Sequence, residues 1–479
     1  MKVAPLLVLV ALLAAACGAS TQQAAPRAQI LKLGGDWARA GYTASRRDSG
    51  PSRTGITAAN VTALRRHRIR LDGTVDSWPI YLRGVRIAGG IHDVFIVTTT
   101  YGKTIALDAD SGRRVWEFTP SSYPRLAQSP QITTAGPLAD RRAGAVYAAS
   151  PDGRVHRLAL ATGKQVWSVA ITRDARHEKI ASPLNLAGGR LIAATGGYIG
   201  DAPPYQGHVV TIAPGTGRIL HVWNSLCSNR HALIVPRTCG ASDSAIWGRN
   251  AVVVEPGSGR LLFATGNAPW DGRTNWGDSV LELSADGSRL LQNWTPSNQA
   301  ELNRDDLDLG STAPAILPGR LALQGGKEPR LHLLDLRKLN GTVHAGARTG
   351  GELQSVPAPG GYSTLTAPAV WTSGGRTWVF VGTGNGTGAY TLSGRRLHPA
   401  WHSSRPGLSP IVAGGLLYLY DPSGRLNVLR PTTGALVTAL PAGPGHWQAP
   451  IVTDGRIALP EGDANDHRDS GILDVYRAS

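Results

Sequence analysis

Residues 94–116 read VFIVTTTYGKTIALDADSGRRVW, and residues 144–167 repeat their pattern as GAVYAASPDGRVHRLALATGKQVW. Each stretch has an apolar strand, a glycine turn, a second strand, a Ser/Thr-Gly turn and a last strand that ends in Trp. A third copy, GHVVTIAPGTGRILHVW, follows inside residues 191–223. Weaker copies occupy residues 329–341, 377–401, 416–437 and 456–476. Repetition of such a short unit is typical of a repeat architecture.

Proline marks the start of most repeats. It recurs as Pro79, Pro130, Pro183, Pro314, Pro368, Pro410 and Pro450, and Ile246-Trp247-Gly248 stands in the remaining slot. The pattern indicates eight units of four short antiparallel strands joined by tight turns. One such sheet cannot bury both of its faces, whereas copies stacked around an axis bury them and leave only short edges. The sequence therefore predicts an all-β fold, an eight-bladed β-propeller of four-stranded antiparallel blades.

The two ends of the repeat region predict how the ring closes. The last unit stops at SGILDVYRAS without a fourth strand, and NVTALRRHRIRL at residues 60–71 reads as a strand without a blade. We therefore expect residues 64–71 to complete the last blade, which avoids an open edge. The residues Trp116, Trp167 and Trp223, each at the end of a repeat, are expected to pack between blades.

Composition agrees with this fold and limits the partners. The chain has 59 Gly and 32 Pro but 1 Met and 4 Phe, which disfavours a helical bundle. Lys and Arg exceed Asp and Glu by 49 − 33 = 16, so the chain favours anionic partners. Because the sequence has one short basic run, at residues 65–68, and no nucleic-acid motif, nucleic acid is not expected as a partner. We expect a monomer.

The first 17 residues, MKVAPLLVLVALLAAAC, have the pattern of an export signal. The apolar run is too short to span a bilayer as a stable helix. The closing LAAAC resembles a bacterial lipobox, in which Cys17 is lipidated; the alternative is an ordinary signal peptide cut after the three alanines. We expect a membrane-anchored lipoprotein on the periplasmic or extracytoplasmic face, with residues 18–35 as a flexible tether and residues 36–479 as the propeller.

Export places the two other cysteines in an oxidising compartment. Cys227 and Cys239, with eleven residues between them, are expected to form a disulfide. The alternative is a zinc site, for which His231 is the nearest third ligand.

The repeats GKTIALDADSGRRVW and DGRVHRLALATGKQVW resemble the pyrroloquinoline quinone (PQQ) repeat of the quinoprotein alcohol dehydrogenase-like, eight-bladed propellers. The stretch DWARAGYTASRRDSGPSRTGITAANVTAL is similar to the entry segment of such propellers. The resemblance covers residues 36–479 and implies the propeller fold. Some members of the family are PQQ-dependent dehydrogenases, whereas others are assembly lipoproteins of the outer membrane that use the propeller as a protein-binding scaffold.

The resemblance also implies a set of site residues. The segment IWGRNAVVVEPGSGRLLFATGNAPW is similar to the dehydrogenase segment that supplies a calcium ligand, which implies Asn267 as that ligand and Trp247 as a cofactor contact. The segment DDLDLGSTAP is similar to the region of the catalytic Asp, where Asp306 is the best match and a further metal ligand, and Asp308 is the second choice. Lys327, eight residues before an Asp, matches the Lys that contacts the quinone. Such a set would polarise a quinone and take the proton of an alcohol.

Each of these residues also has a structural interpretation. Asn267 can cap a turn, the two aspartates can accept backbone N–H groups, and Lys327 can be solvated. The chain departs from the dehydrogenases in its third-blade loop TGGYIGDAPPYQGH, which has Asp201 but no Glu, and it has neither an adjacent Cys pair nor Cys-x-x-Cys-His. We therefore expect a binding or assembly scaffold at the cell envelope, with an envelope protein or a small molecule as partner. The alternative is a PQQ- and calcium-dependent dehydrogenase that oxidises an alcohol or a sugar.

A second acidic cluster lies in the loop EGDANDHRDSG at residues 461–471. It could bind calcium, but its carboxylates lack the regular spacing of a calcium loop. A solvated acidic turn is the favoured interpretation.

Overall fold

The fold comes from a computed structural model that describes Met1 and residues 33–478. The described residues form eight four-stranded antiparallel sheets, as predicted. The first half of the chain contains β1 Arg65–Leu71, β2 Ile80–Ile87, β3 Gly90–Thr98, β4 Thr104–Asp108, β5 Arg114–Phe118, β6 Leu138–Asp140, β7 Ala145–Ser150, β8 Arg154–Ala159, β9 Gln165–Ala170, β10 Asn185–Ala187, β11 Arg190–Ala194, β12 His208–Ile212, β13 Ile219–Asn224, β14 Val253–Val254, β15 Leu261–Ala264, β16 Val280–Leu283 and β17 Leu290–Trp294. The second half contains β18 Ala315–Leu317, β19 Leu321–Gln324, β20 Arg330–Asp335, β21 Gln354–Pro357, β22 Ala369–Ser373, β23 Arg376–Thr383, β24 Gly386–Ser393, β25 Arg396–Ser403, β26 Leu408–Ala413, β27 Leu416–Asp421, β28 Arg425–Leu429, β29 Leu436–Pro441, β30 Ile451–Thr453, β31 Arg456–Glu461 and β32 Gly471–Arg477.

Among the described residues, helical structure is confined to short connections. The helices are α1 Tyr123–Leu126 and α2 Gln299–Arg304, with single 3₁₀ turns at Val61–Ala63, Pro236–Thr238, Leu309–Ser311, Leu339–Gly341, Pro359–Gly361 and Ala464–Asp466. Within the part of the chain that the structure describes, no helix has the length and apolarity needed to cross a membrane. The predicted lipidation site Cys17 lies outside the described residues.

The predicted ring closure is confirmed. Blade 1 is β2 to β5, and the next six blades follow with four consecutive strands each. Blade 8 has the order β1-β32-β31-β30, so its outermost strand comes from the start of the chain. All seven residues of β1 pair antiparallel with β32, from Arg65 opposite Arg477 to Leu71 opposite Gly471. This pairing satisfies an edge that would otherwise be open.

Apolar cores lie between adjacent blades, and tryptophans join the blades as predicted. The contacts to the next blade are Trp116 with Leu160, Trp167 with Pro214, and Trp223 with Phe263. The indole N–H of Trp116 donates to the Leu160 carbonyl at 2.9 Å. Gly163 lies beneath that ring, where a Cβ would stand 2.6 Å from it, and its φ is +70°. The glycine of the Thr-Gly turn is therefore needed for blade packing as well as for the turn.

An N-terminal plug, residues 33–58, makes a circuit of one end of the ring. Its hydrogen-bond partners in or next to the innermost strands are Tyr81, Ala139, Asn185, Val254, Val370, Val412 and Asp454, which belong to seven of the eight blades. Arg46 is 1% exposed and donates to the carbonyls of Pro183 and Leu184 at 2.7 and 2.9 Å. The plug thus covers this end of the axis and leaves the opposite end for a site.

The predicted disulfide is present between Cys227 and Cys239. It closes a loop that packs on Leu226 and Ala268, beside the residues that lead into blade 4. We expect Cys227→Ser to lower the free energy of unfolding by about 3 kcal/mol, because the open loop gains conformational entropy in the unfolded chain. Urea titration checks this value. The variant with both cysteines replaced should match the single variant, and an equal stability of all three proteins would contradict the expectation.

Candidate functional site

A cavity of about 330 Å³ lies on the axis at the end opposite the plug. Its walls come from the segments that precede the innermost strands of blades 2, 3, 4, 5 and 8, together with the loops at 197–205, 327 and 465. These segments approach the axis because each innermost strand starts from it. Four of the five residues predicted for the site fall in its neighbourhood, since the walls include Trp247, Asp306, Asp308 and Lys327.

The centre of this site is an ion pair between Asp308 and Lys327. The ammonium Nζ of Lys327 lies 2.7 Å from Asp308 Oδ2 and 2.9 Å from Asp306 Oδ1. Burial raises the pKa of Asp308, although Lys327 opposes this effect. Burial lowers the pKa of Lys327, but the attraction of Asp308 and the hydrogen bonds to both aspartates outweigh it, so that this pKa is raised. The pair can present a carboxylate and a cation to one ligand.

Tight backbone packing fixes Asp308 in place. Its Oδ1 accepts the amide of Asn267 at 2.8 Å, and its carbonyl accepts the amide of Lys327 at 2.9 Å. A Cβ on Gly266 would collide with Asp308 Oδ1, and one on Gly310 would lie 2.5 Å from the Gly266 nitrogen. The Thr-Gly-Asn segment therefore positions Asp308 through its backbone.

Asp306 and Asn267 differ from Asp308 in how they contribute to the site. The side chain of Asp306 is 58% exposed, whereas that of Asp308 is 7% exposed. Asn267 contributes its backbone to the site, but its side chain is not part of the cavity wall. The structure thus brings Asp306, Asp308 and Lys327 together. Their roles as catalytic and metal-binding residues remain predictions.

Two indoles from opposite sides of the ring meet across the axis. The ring centroids of Trp247, before blade 4, and Trp447, before blade 8, are 5.4 Å apart. Lys327 Nζ lies 6.0 Å from the centroid of Trp247, and the guanidinium of Arg249 lies 5.1 Å from that of Trp447. The two adjacent indoles thus have a cation at each end, an arrangement that suits planar ligands.

A buried polar cluster holds the same two sides together. Arg249 Nη2 lies 3.1 Å from Asp76 Oδ1, and both side chains are almost fully buried. His446 Nδ1 lies 2.8 Å from Asp76 Oδ2, and the amide of Ala464 donates to the same oxygen at 3.2 Å. The loop 461–471 is therefore tied to the axis through Ala464. Ligand atoms of Asp76, His446 and Asp463 lie within 4.8 Å of one another, but the guanidinium of Arg249 already supplies the positive charge there.

The third-blade side of the cavity carries Lys179, and Glu178 precedes it. Glu178 is fully buried away from the cavity, where it accepts from the imidazole of His208 at 2.9 Å. Burial lowers the pKa of Lys179 to about 8, and Arg249 adds to this effect. Asp201, on the rim, accepts the hydroxyl of Tyr205 at 2.6 Å.

Asp278 lies directly behind Asp308 and is a further carboxyl of the site. It is fully buried, and its Oδ1 accepts the amide of Leu309 at 3.1 Å. Its Oδ2 has no hydrogen-bond partner among the described residues. Burial raises its pKa well above the ordinary value of 3.8, and the charge of Asp308 acts in the same direction.

This arrangement predicts a stabilising substitution. Above pH 3.8 the folded protein holds the Asp278 proton more tightly than the unfolded chain, so stability falls as pH rises from there. Asp278→Asn keeps an acceptor for Leu309 and removes the titration, so we expect a gain of about 1–3 kcal/mol at pH 8 and little gain at pH 3.5. Urea titrations at both pH values measure it, with the exposed Asp305→Asn as control. A loss of stability of Asp278→Asn at pH 8 would contradict the prediction that Asp278 holds its proton in the folded protein.

Sequence reasoning missed Asp76, Lys179, Arg249, His446 and Trp447. A positional signal was available, because Lys179 and His446 each stand four residues before a blade-starting proline, and Asp76 and Trp447 each stand three before one. Residues at those offsets lie near the axis, since the innermost strands of blades 1, 3 and 8 begin one or two residues after the proline. The innermost strand of blade 2 begins at Leu138, eight residues after the predicted start Pro130. Arg249 gave no such signal, because its blade has no proline at the start.

Comparison with known proteins agrees with the fold and the repeats. Residues 102–293 match the family model described as outer membrane protein assembly factor BamB. The quinohemoprotein alcohol dehydrogenase ADH IIB of Pseudomonas putida is 29% identical over 185 residues, which are 38% of this chain and 25% of the relative. The dehydrogenase subunit of the quinone alcohol dehydrogenase of Gluconobacter oxydans is 26% identical over 239 residues, 46% of this chain and 29% of the relative. The matched part of the chain thus spans less than a third of the length of either relative.

Two solved structures share the architecture. The quinohemoprotein alcohol dehydrogenase of Comamonas testosteroni superposes with a TM-score of 0.68 at 16% identity, over 94% of this chain and 81% of that one. BamB of Moraxella catarrhalis superposes with a TM-score of 0.53 at 12% identity, over 86% of this chain and 97% of that one.

The sheet order and the repeat match define the class. The chain is an eight-bladed β-propeller of PQQ-type repeats. Its repeats and fold are similar to those of the quinoprotein alcohol dehydrogenases and the BamB-like proteins.

Proposed function

We propose that this protein is a binding propeller whose axial cavity holds a small planar organic molecule that hydrogen-bonds to Asp308 and Lys327. The observation that carries the proposal is the buried Asp308 carboxylate, paired with Lys327 at 2.7 Å inside a cavity of about 330 Å³. Buried ion pairs are costly to build, and they do not by themselves add stability. Their place in a pocket lined by an indole favours a ligand-binding role.

A small-molecule role agrees better with this geometry than a protein-docking role does. The plug covers one end of the axis, and the polar groups converge inside the other end. The overall likeness is also greater to the alcohol dehydrogenase, at a TM-score of 0.68, than to BamB, at 0.53. The scaffold function expected from the sequence remains the outcome if no ligand binds.

PQQ is a chemically suitable occupant for part of this cavity. It is planar and multiply anionic, so Trp247 would cover a ring face and Lys327 would contact its oxygens. When bound, PQQ supplies a two-electron oxidant. The residues predicted for calcium fit less well, because Lys327 already pairs with both Asp306 and Asp308 and the Asn267 side chain is not in the wall. No step through calcium follows from this arrangement.

The second candidate function is a quinoprotein dehydrogenase. The specific observation in its favour is Asp308, a buried carboxylate with a raised pKa beside a cation. Such a group suits a general base that takes the proton of an alcohol. If the protein is a dehydrogenase, Asp308 is better placed to act as the general base than Asp306. The Asp306 side chain is mostly exposed and pairs with Lys327.

Calorimetric titration with PQQ, with and without calcium, tests the binding proposal. We expect saturable binding that Asp308→Asn and Trp247→Ala each weaken by about 10- to 100-fold, since each removes a direct contact. Trp371→Ala, on β22 outside the cavity wall, is the matched control. Dye reduction with a panel of alcohols and sugars then separates the two candidates. Absence of saturable binding at micromolar PQQ would sink the PQQ form of the proposal.

We also propose that the protein is exported and anchored through a lipid on Cys17, which the LAAAC motif supports. A lipid on Cys17 would hold the propeller through the segment that precedes the plug. Cys17→Ser is expected to shift the protein from the membrane fraction to the soluble fraction, because the thiol is the only lipid acceptor in the motif. Membrane retention of the variant would rule out the lipid anchor.

A further inference from the structure

The cavity has a second polar end, across the paired indoles from Asp308. Lys179 and His446 line it, and both stand four residues before a blade-starting proline. Arg249, Asp76 and Asp463 all act on the pKa of Lys179, so its ammonium lies beside the polar cluster that holds His446.

Lys179 has no counter-ion among residues 33–478, since no carboxylate oxygen there lies within 4.0 Å of its Nζ. The ring of Tyr198 is its aromatic neighbour, with the centroid 5.7 Å from Nζ. Burial lowers its pKa to about 8. A desolvated ammonium without a partner is unfavourable, and an anion that enters the cavity would relieve this cost.

His446 offers a second donor at the same end when both of its ring nitrogens carry a proton. Its Nδ1 is taken by Asp76 at 2.8 Å, and its ring stacks on Trp447 with centroids 3.9 Å apart. These contacts fix the imidazole, and within the described part of the chain no residue hydrogen-bonds to Nε2. With Nδ1 donating to Asp76, Nε2 is an acceptor in the neutral ring and becomes a donor to an anion in the imidazolium, at the cavity that His446 lines.

The carboxylates near this end are already engaged. Asp76 is held by Arg249, by His446 and by the Ala464 amide. Asp463 accepts the amide of Asn465 at 2.8 Å and lies 3.5 Å from His446 Nδ1. With Arg249 balancing Asp76, and Asp463 turned to its own loop, Lys179 is the cation available for a ligand.

We propose that Lys179 and His446 form an anion subsite that binds a carboxylate or phosphate group of the cavity ligand. The identity of the whole ligand rests on the proposed function, whereas the subsite itself does not. The ligand would then span the cavity, with its anionic group at Lys179 and its ring against Trp247. Neutral planar molecules would bind more weakly than related molecules that carry a carboxylate or phosphate group.

Calorimetry of the full chain with two probes, PQQ and inorganic phosphate, tests the subsite. Lys179→Met should weaken the binding of both by about 10- to 100-fold, and His446→Gln by about 10-fold, since each removes a charge-assisted or cavity hydrogen bond. Lys164→Met and His402→Gln, both on exposed outer positions, should change neither affinity. Wild-type protein should take up a proton on binding near pH 8, as Lys179 gains its partner. Lys179→Arg should bind with a smaller uptake, because arginine is protonated in both states and only His446 can then gain a proton.

The outcomes of these titrations test the anion subsite separately from the proposal that PQQ occupies the cavity. Binding of PQQ with equal affinity in wild type and Lys179→Met overturns the subsite and leaves the proposed function intact. Lys179-dependent binding of phosphate without binding of PQQ supports the subsite and removes PQQ as the occupant. If millimolar phosphate and micromolar PQQ both fail to bind, the subsite is wrong.

Discussion

Replacing Arg249 by alanine is expected to destabilise the propeller by about 3–5 kcal/mol, the usual loss when one partner of a buried ion pair is removed. The guanidinium is 3% exposed, lies 3.1 Å from the buried Asp76, and donates to the Asp76 carbonyl at 2.6 Å. Arg249 comes from blade 4 and Asp76 from the entry to blade 1, so the pair joins two distant parts of the ring. Its loss leaves a buried carboxylate with only His446 and one amide as partners.

Equilibrium unfolding in urea measures the effect of Arg249→Ala. The control is Arg304→Ala, whose exposed pair with Asp305 should give no measurable change. The double variant Asp76→Asn/Arg249→Ala should recover part of the loss, because no buried charge is then unpaired. If the single and double variants lose stability equally, the ion pair does not act as described.

Lys327→Met should give the second large effect, a loss of about 2–4 kcal/mol at neutral pH. The expected value lies below that for Arg249 because the Lys327 side chain is 26% exposed. Without its cation, Asp308 keeps one amide donor, and its pKa, already raised by burial, should rise further. The folded variant then holds a proton that the unfolded chain releases above about pH 3.9, so its stability falls as pH rises. The difference from wild type should therefore be small at pH 3.5 and largest above pH 7.

Unfolding curves at pH 3.5, 5.5 and 7.5 check this dependence. Asp308→Asn in the Lys327→Met background should flatten it, because the titrating carboxyl is gone. Lys338→Met, an exposed lysine on a turn, should match wild type at every pH. A Lys327→Met penalty that is equal at all three values would show that Asp308 does not titrate in response to Lys327.

Most of the fold could be predicted because each blade repeats the same local rules. Strand alternation, glycine turns and the terminal Trp recur, so eight weak signals reinforce one another. The role of β1 followed from a missing fourth strand at the other end of the chain. The plug could not be predicted in the same way, because residues 33–58 make contacts with seven blades that only the closed ring brings together.

The site could be predicted only where a single segment carries its chemistry. Asp306, Asp308 and Lys327 stand in segments that resemble dehydrogenase motifs, and they do meet. The choice between Asp306 and Asp308 depends on burial, which the sequence pattern leaves open. Arg249 and Trp447 act through partners about two hundred residues away, so no local pattern reveals them.

A difference electron-density map from crystals soaked with PQQ shows whether the axial cavity binds a planar anionic ligand. We expect planar density in the axial cavity, with one face against Trp247 and polar contacts to Lys327, and with a carboxylate toward Lys179. Density only on the outer blades, or an empty cavity at saturating PQQ, would contradict the assignment of this cavity as the site of a planar anionic ligand.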